Sequence, residues 1–255
     1  MALRIAFDLD GVLADMEGEL VRQAEALFGE PMARKLQERA AQAEQAGNDP
    51  VTKAAVLPPV TPAEEAAAVG APTLQHLSMT ARQERRLWHH VQAREDFWET
   101  LEELEPGLIA QLAVLSTAHR WEVMFLTKRP ETVGATAQVQ TQRWLESKGF
   151  ALPSVYVVQG SRGRIAAALG LDIVVDDRPE NCLDVVVDSN ARAILVWRED
   201  EKHLPSAARR LGIGVVTSVA ECLDILSQLE APAAAQPGVL DRVKRMLGLS
   251  DPARR

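Results

Sequence analysis

Past residue 121 the sequence alternates short apolar runs with longer mixed stretches, and that alternation restricts the fold more than any other feature of the chain. The runs are VMFLT at 123–127, VYVV at 155–158, DIVVDD at 172–177, AILVW at 193–197 and GVV at 214–216. Each has the length of a buried strand and is followed by enough chain for a helix. Strands alternating with helices build parallel βαβ units with right-handed crossovers, so the expected fold is α/β: a doubly wound, Rossmann-like parallel sheet. A further run at 4–9 (RIAFDL) ends in the turn-prone pair Asp10-Gly11 and should join that sheet as its first strand.

Between this first run and the others lies a block of different character. Residues 32–46 (MARKLQERAAQAEQA) have strong helix propensity, and Gly29-Glu30-Pro31 stops one helix and starts the next. Pro50, Pro58, Pro59, Pro62 and Pro72 mark a loop excursion at 47–73. Thr80-Ala81-Arg82-Gln83 has the form of a capping box and opens a helical stretch through Trp88, Val91, Trp98 and Leu101. The expected organisation is a core domain from 1–14 and 96–230 and a helical insertion at 15–95. A linker with a short basic amphipathic helix follows at 231–255. The insertion would leave the sheet at the carboxyl end of the first strand, where a lid would sit.

Charge and cysteine content exclude several function classes. The 255 residues carry 28 Lys and Arg against 36 Asp and Glu, a formal net charge of -8. Binding to a nucleic-acid polymer or an anionic lipid surface has no global electrostatic support, and an anionic substrate needs a local cationic group or a metal. Cys182 and Cys222 form neither a CxxC nor a zinc-finger pattern, so no disulfide framework or structural zinc is expected and a reducing cytoplasm is the simplest location. No run of about 18 apolar residues suggests a membrane span. Oligomeric state leaves no signature.

The chemistry-bearing residues gather where strands end. Asp8 and Asp10, two residues apart in an extended segment, lean to one face and need a cation between them. Asp176 and Asp177 end another strand, and in an open parallel sheet such ends converge on the crevice at the topological switch point. Paired carboxylates completed by water and substrate phosphate suit Mg²⁺. Each aspartate pair could also simply cap a following helix. Thr127, with Lys128 and Arg129 after it, could offer a hydroxyl and backbone N–H groups to a phosphate. Trp88, Phe97 and Trp98 could stack on a planar leaving group, although aromatics at helical spacing more often form core. His89 and His90 are adjacent, point apart and read as surface residues.

In order and combination, DLDGV at 8–12, LTKRP at 126–130, a basic residue, and DDRPEN at 176–181 resemble the haloacid-dehalogenase-like superfamily of aspartyl phosphohydrolases. DDRPEN together with Phe97-Trp98 looks most like its nucleotidase-type branch. The likeness spans about 3–14 and 97–200, with the 15–95 insertion resembling the family's helical cap. It implies Asp8 as nucleophile and Asp10 as acid and base. It places Thr127 on the phosphoryl oxygens, and Mg²⁺ on Asp8, the Asp10 carbonyl and Asp177, with Asp176 behind them. The substrate would be a small phosphate ester, plausibly a nucleoside monophosphate. One position departs from the family: where a lysine is usual, Ser161-Arg162-Gly163-Arg164 offers only arginines, with Arg162 the expected replacement and Arg164 the alternative. A phosphomutase would keep both aspartates, and a degenerate phosphate-binding or regulatory protein is the reading outside enzymes. Dehalogenation is disfavoured by Asp10, and a signalling receiver domain by length and motif order.

Overall fold

A computed structural model describes residues 2–29 and 79–229. The predicted apolar runs form six strands: β1 (Arg4–Asp8), β2 (Glu122–Thr127), β3 (Ser154–Val157), β4 (Ile173–Asp176), β5 (Arg192–Val196) and β6 (Gly214–Val216). All neighbouring pairs are parallel, in the order β3-β2-β1-β4-β5-β6. The chain therefore winds outward from β1 to β3 and returns to β4 on the other side of β1, which makes the β1/β4 boundary the switch point. There the register sets Phe7 beside Val175, so Asp8 and Asp176 leave the two strands at the same level.

Period-2 alternation explains why the sheet is buried on both sides. Ala6, Met124, Leu126, Val174, Ala193 and Leu195 face one core, closed by residues of the helices α5 (Arg162–Leu169), α6 (Pro179–Asp188) and α7 (Ser206–Arg210). The alternate residues Ile5, Phe7, Phe125, Val175 and Ile194 are fully buried on the opposite face. The remaining helices of this part are α3 (Leu108–His119) and α4 (Ala137–Ser147), which precede β2 and β3, and α8 (Val219–Leu229), which follows β6, with α3 packed against α8.

The chain divides into two compact units. One holds Met1–Asp15, Glu102–Thr127 and Thr141–Arg255, and with them the sheet. The other holds Met16–Leu101 and Lys128–Gln140. In the second, α1 (Met16–Phe28) packs on α2 (Ala81–Gln92). The capping box forms as read: Gln83 N–H donates to Thr80 Oγ1 (3.3 Å) and Thr80 N–H to Gln83 Oε1 (3.0 Å).

Two expectations change. The helix opened by Thr80 ends at Gln92 instead of running to Leu101, because the chain turns through Asp96 in the left-handed region (φ 48°) into a 3-10 turn at Phe97–Glu99. Residues 128–140, expected with the sheet, belong to the α1/α2 unit. Trp98 ties them there, its indole N–H donating to Pro130 O (2.9 Å) and its backbone N–H to Gln140 Oε1 (3.0 Å). Asp96 Oδ1 adds a bond from Ala135 N–H (2.9 Å). The 32–46 helix, the 47–73 loop and the 231–255 tail lie outside the described residues. Among those described, no helix is long and apolar enough to cross a membrane.

Candidate active site

β1 ends in a tight turn. Leu9 O accepts from Leu13 N–H and Ala14 N–H (both 2.8 Å), and Gly11 N–H closes on Ala14 O (3.1 Å). Gly11 sits at φ 87°, and a Cβ there would run into the Asp177 carboxylate. Only glycine lets the Asp177 side chain lie against this backbone. The Asp10 carboxylate is held across the β1/β2 boundary, where Thr127 Oγ1 donates to its Oδ2 (2.9 Å).

The cationic member comes from the start of α5. Arg162 is 2% exposed and pairs through Nη2 with Asp8 Oδ1, while its Nε lies 3.7 Å from Asp176 Oδ2. Arg164 points away, with a side chain 85% exposed and 3.9 Å from Asp188. Helix phase makes the choice: Ser161 caps the helix by accepting from Arg164 N–H (3.2 Å), which turns position 162 inward. Asp184 of α6 fastens that end further, accepting from Ser161 Oγ (2.6 Å) and Gly163 N–H (3.2 Å).

Asp176 is fully buried and well supplied: Oδ1 accepts from Arg178 N–H (2.9 Å), and both carboxylate oxygens accept from Asn181 Nδ2 (3.0 Å each). Asp177 is not. Its Oδ1 is buried with no hydrogen-bond partner. Negative charge exceeds what one guanidinium can balance. Burial and the Asp176 charge push Asp8 well above the usual carboxylate range, against the pull of Arg162. Asp176 is raised chiefly by burial. Asp177 is pushed up to about 7 by burial and the Asp176 charge.

These residues fit a hard divalent cation. The orphaned Asp177 oxygen, the Asp8 carboxylate and the Asp10 carbonyl are all oxygen donors of the kind such a cation takes. Among the described residues no group of three or more His, Cys, Asp or Glu side chains could hold a metal by itself. Both Asp176 oxygens are already engaged by protein donors.

Comparison with known proteins gives a structural likeness alone. No family model matches the chain, and no curated protein does. The chain is similar to solved structures at under 20% identity, three of which follow. A β-phosphoglucomutase candidate from Thermotoga maritima is 17% identical over 89% of this chain and 99% of its own (TM-score 0.49). A hydrolase from Pseudomonas syringae is 19% identical over 91% and 100% (TM-score 0.45). A family hydrolase from Deinococcus radiodurans is 18% identical over 91% and 99% (TM-score 0.46). Such identities leave activity and substrate to be argued from the residues.

Asp8, Asp10, Thr127, Arg162, Asp176 and Asp177 thus meet in the sheet unit, whereas the other expected ligand-binding residues belong to the α1/α2 unit. Trp88, Phe97 and Trp98 are buried to 1% exposure or less, Phe97 edge-on to Trp98 with ring centroids 5.0 Å apart. They are core, with no ring face left for a base. Arg129 is buried too, its guanidinium 5.0 Å over the Trp98 ring, and Lys128 lies in the same unit. His90 is half-buried, its Nε2 3.2 Å from Gln23 Oε1. The Thr127 hydroxyl, expected on phosphoryl oxygens, serves Asp10 here. Reading the motifs missed Arg198 and Glu105, which hold the Asp10 turn from behind; no local sequence pattern marks them.

Proposed function

We propose that the protein is a Mg²⁺-dependent phosphomonoesterase working through an aspartyl-phosphate on Asp8, acting on a small phosphate ester such as a nucleoside monophosphate. The observation that carries the reading is the meeting, at the β1/β4 switch point, of a buried Asp8 paired with Arg162 and an Asp10 carboxyl held by Thr127.

Asp8 has one oxygen on Arg162 and the other to attack phosphorus, while the P–O bond to the leaving group breaks. Arg162 favours the ionised nucleophile against the pull of burial. The Asp10 carboxyl gives its proton to the departing alkoxide. It then takes one from the water that attacks phosphorus, which breaks the bond to Asp8 and releases inorganic phosphate. Thr127 keeps that carboxyl aimed through both steps. Asp8, Asp177 and the Asp10 carbonyl would hold a Mg²⁺, which when bound would supply positive charge to offset the repulsion of nucleophile and phosphate.

The test is phosphate release from a panel of nucleoside monophosphates and sugar phosphates, with and without Mg²⁺, for the parent, Asp8→Asn and Arg162→Lys. Mg²⁺-dependent release that disappears in Asp8→Asn is expected. The Arg162–Asp8 contact favours one other reading, a phosphate-binding protein whose nucleophile is held by a guanidinium. An inactive parent made active by Arg162→Lys would decide for it.

A further inference from the structure

The turn that bears Asp10 is also gripped from its far side. Arg198, just past β5, donates through Nη1 to Gly11 O (2.6 Å) and through Nη2 to Val12 O (3.2 Å). The same Nη2 donates to Glu105 Oε1 (2.9 Å). Glu105 is itself fixed, accepting from Val219 N–H (2.8 Å) and Ala220 N–H (3.0 Å) at the start of α8. The segment carrying Glu105 runs along the turn, with Asp15 N–H on Glu102 O and Leu104 N–H on Leu13 O (both 2.9 Å).

We propose that Arg198 is a positioning residue for catalysis, fixing the Asp10–Gly11 turn by clasping two successive carbonyls and being held in turn by Glu105. The geometry leaves little else for it to do. A guanidinium presents a rigid fork, and two carbonyls one residue apart with a carboxylate beside them engage it in one orientation. The clasped carbonyls follow directly on the Gly11 Cα that rests against Asp177, one and two residues past Asp10, whose carboxyl meets Thr127. A turn free to slide by about 1 Å would misplace both groups, a displacement that costs on the order of 10²-fold in rate. Arg198 touches none of the reacting groups, so its loss should lower kcat with little change in KM.

The kinetic part rests on the phosphatase reading; the positional part does not. Arg198→Ala, Arg198→Lys and Glu105→Gln are compared with the parent in two assays. In Mg²⁺-dependent phosphate release, Arg198→Ala is expected to lower kcat about 10–100-fold with KM within about threefold, and Arg198→Lys to recover part of the loss. In amide hydrogen exchange of the full chain, the Gly11, Leu13 and Ala14 N–H groups should exchange at least about tenfold faster in Arg198→Ala, with β2 and β5 unchanged. Should Arg198→Ala fail to fold, Glu105→Gln is expected to show the same local pattern more weakly. Exchange that stays at the parent rate in the turn, or rises equally across the sheet, overturns the proposal. So does kcat within twofold of the parent. A parent that releases no phosphate refutes the phosphatase reading while the exchange result still decides the positional claim.

Discussion

Gly163 lies where α5 meets α6, and replacing it with alanine tests whether that approach sets the position of Arg162. A Cβ at 163 would stand 2.6 Å from the Asp188 Cβ and 2.8 Å from the Asp184 carbonyl carbon, and would also strike the Asp184 oxygen. Carbon atoms rest at about 3.5–4.0 Å, so the start of α5 must retreat by about 1 Å. None of these obstacles is the end of a flexible side chain. Overpacking of this kind costs about 1–3 kcal/mol, set against a gain of about 0.5–1 kcal/mol for alanine over glycine in a helix. The net loss, up to about 2.5 kcal/mol, lowers Tm by up to about 10 °C in a chain of this size. Arg162 is the adjacent residue, so a 1 Å retreat should also cut phosphate release by on the order of 10²-fold. Gly160→Ala is the matched control: nothing lies within 4 Å of its added Cβ, and its φ is not in the left-handed region. It should leave Tm unchanged or slightly raised. Thermal unfolding followed by circular dichroism and a phosphate-release assay read both effects. Gly163→Ala behaving like Gly160→Ala in both would refute the reasoning.

Three further outcomes follow from the geometry. Backbone N–H groups of Val219 and Ala220 and the Arg198 guanidinium outweigh burial and hold Glu105 below its ordinary value. Its stabilisation is therefore present above the unfolded pKa of about 4.3 and lost as pH falls through the folded value. Glu105→Gln should accordingly lower Tm near neutral pH, with the difference from the parent closing on acidification; a constant difference would contradict this. Trp98→Ala, which empties a buried ring site and takes the indole donor from Pro130 O while keeping the backbone N–H to Gln140, should cost about 3–5 kcal/mol in denaturant unfolding. A ring standing on the surface for a ligand would lose far less. Asp8→Asn removes a charge that burial and Asp176 oppose, so the Mg²⁺-free variant should unfold at higher temperature than the parent while releasing no phosphate; a lower Tm would mean that Arg162 depends on Asp8 more than the carboxylates repel.

The parts of the site that strings of adjacent residues encode were legible before any coordinates. Asp8, Asp10, Thr127, Asp176 and Asp177 stand at the ends of apolar runs, and a strand end is fixed by the run itself. Choosing between Arg162 and Arg164 needed helix phase, which Ser161 sets only once the helix start is known. Residues 128–140 misled because Trp98 and Asp96 reach them across about 30–40 positions, and no local pattern signals such a bond. Arg198 and Glu105 are harder still, since WRED and EPG read as ordinary polar turns. Trp88 and Trp98 show the opposite case, in which helical spacing alone already favoured core over a ligand face.

β1 occupies a middle position in the sheet, and its partners are made long after it. Its Arg4 carbonyl waits for Asp172 N–H, and its backbone N–H for the Asp172 carboxylate 168 residues downstream. At about 5–20 residues per second of synthesis, roughly 8–34 s separate the two. For that interval Ile5, Ala6 and Phe7, all fully buried in the finished sheet, stand as an apolar strand with both edges unmatched until β2 is made and one edge unmatched after it. Asp8 is thus made well before the residues that surround it, and its surroundings come into being only when the second half of the chain docks. Until β4 closes on β1, that edge stays open to edge-to-edge association.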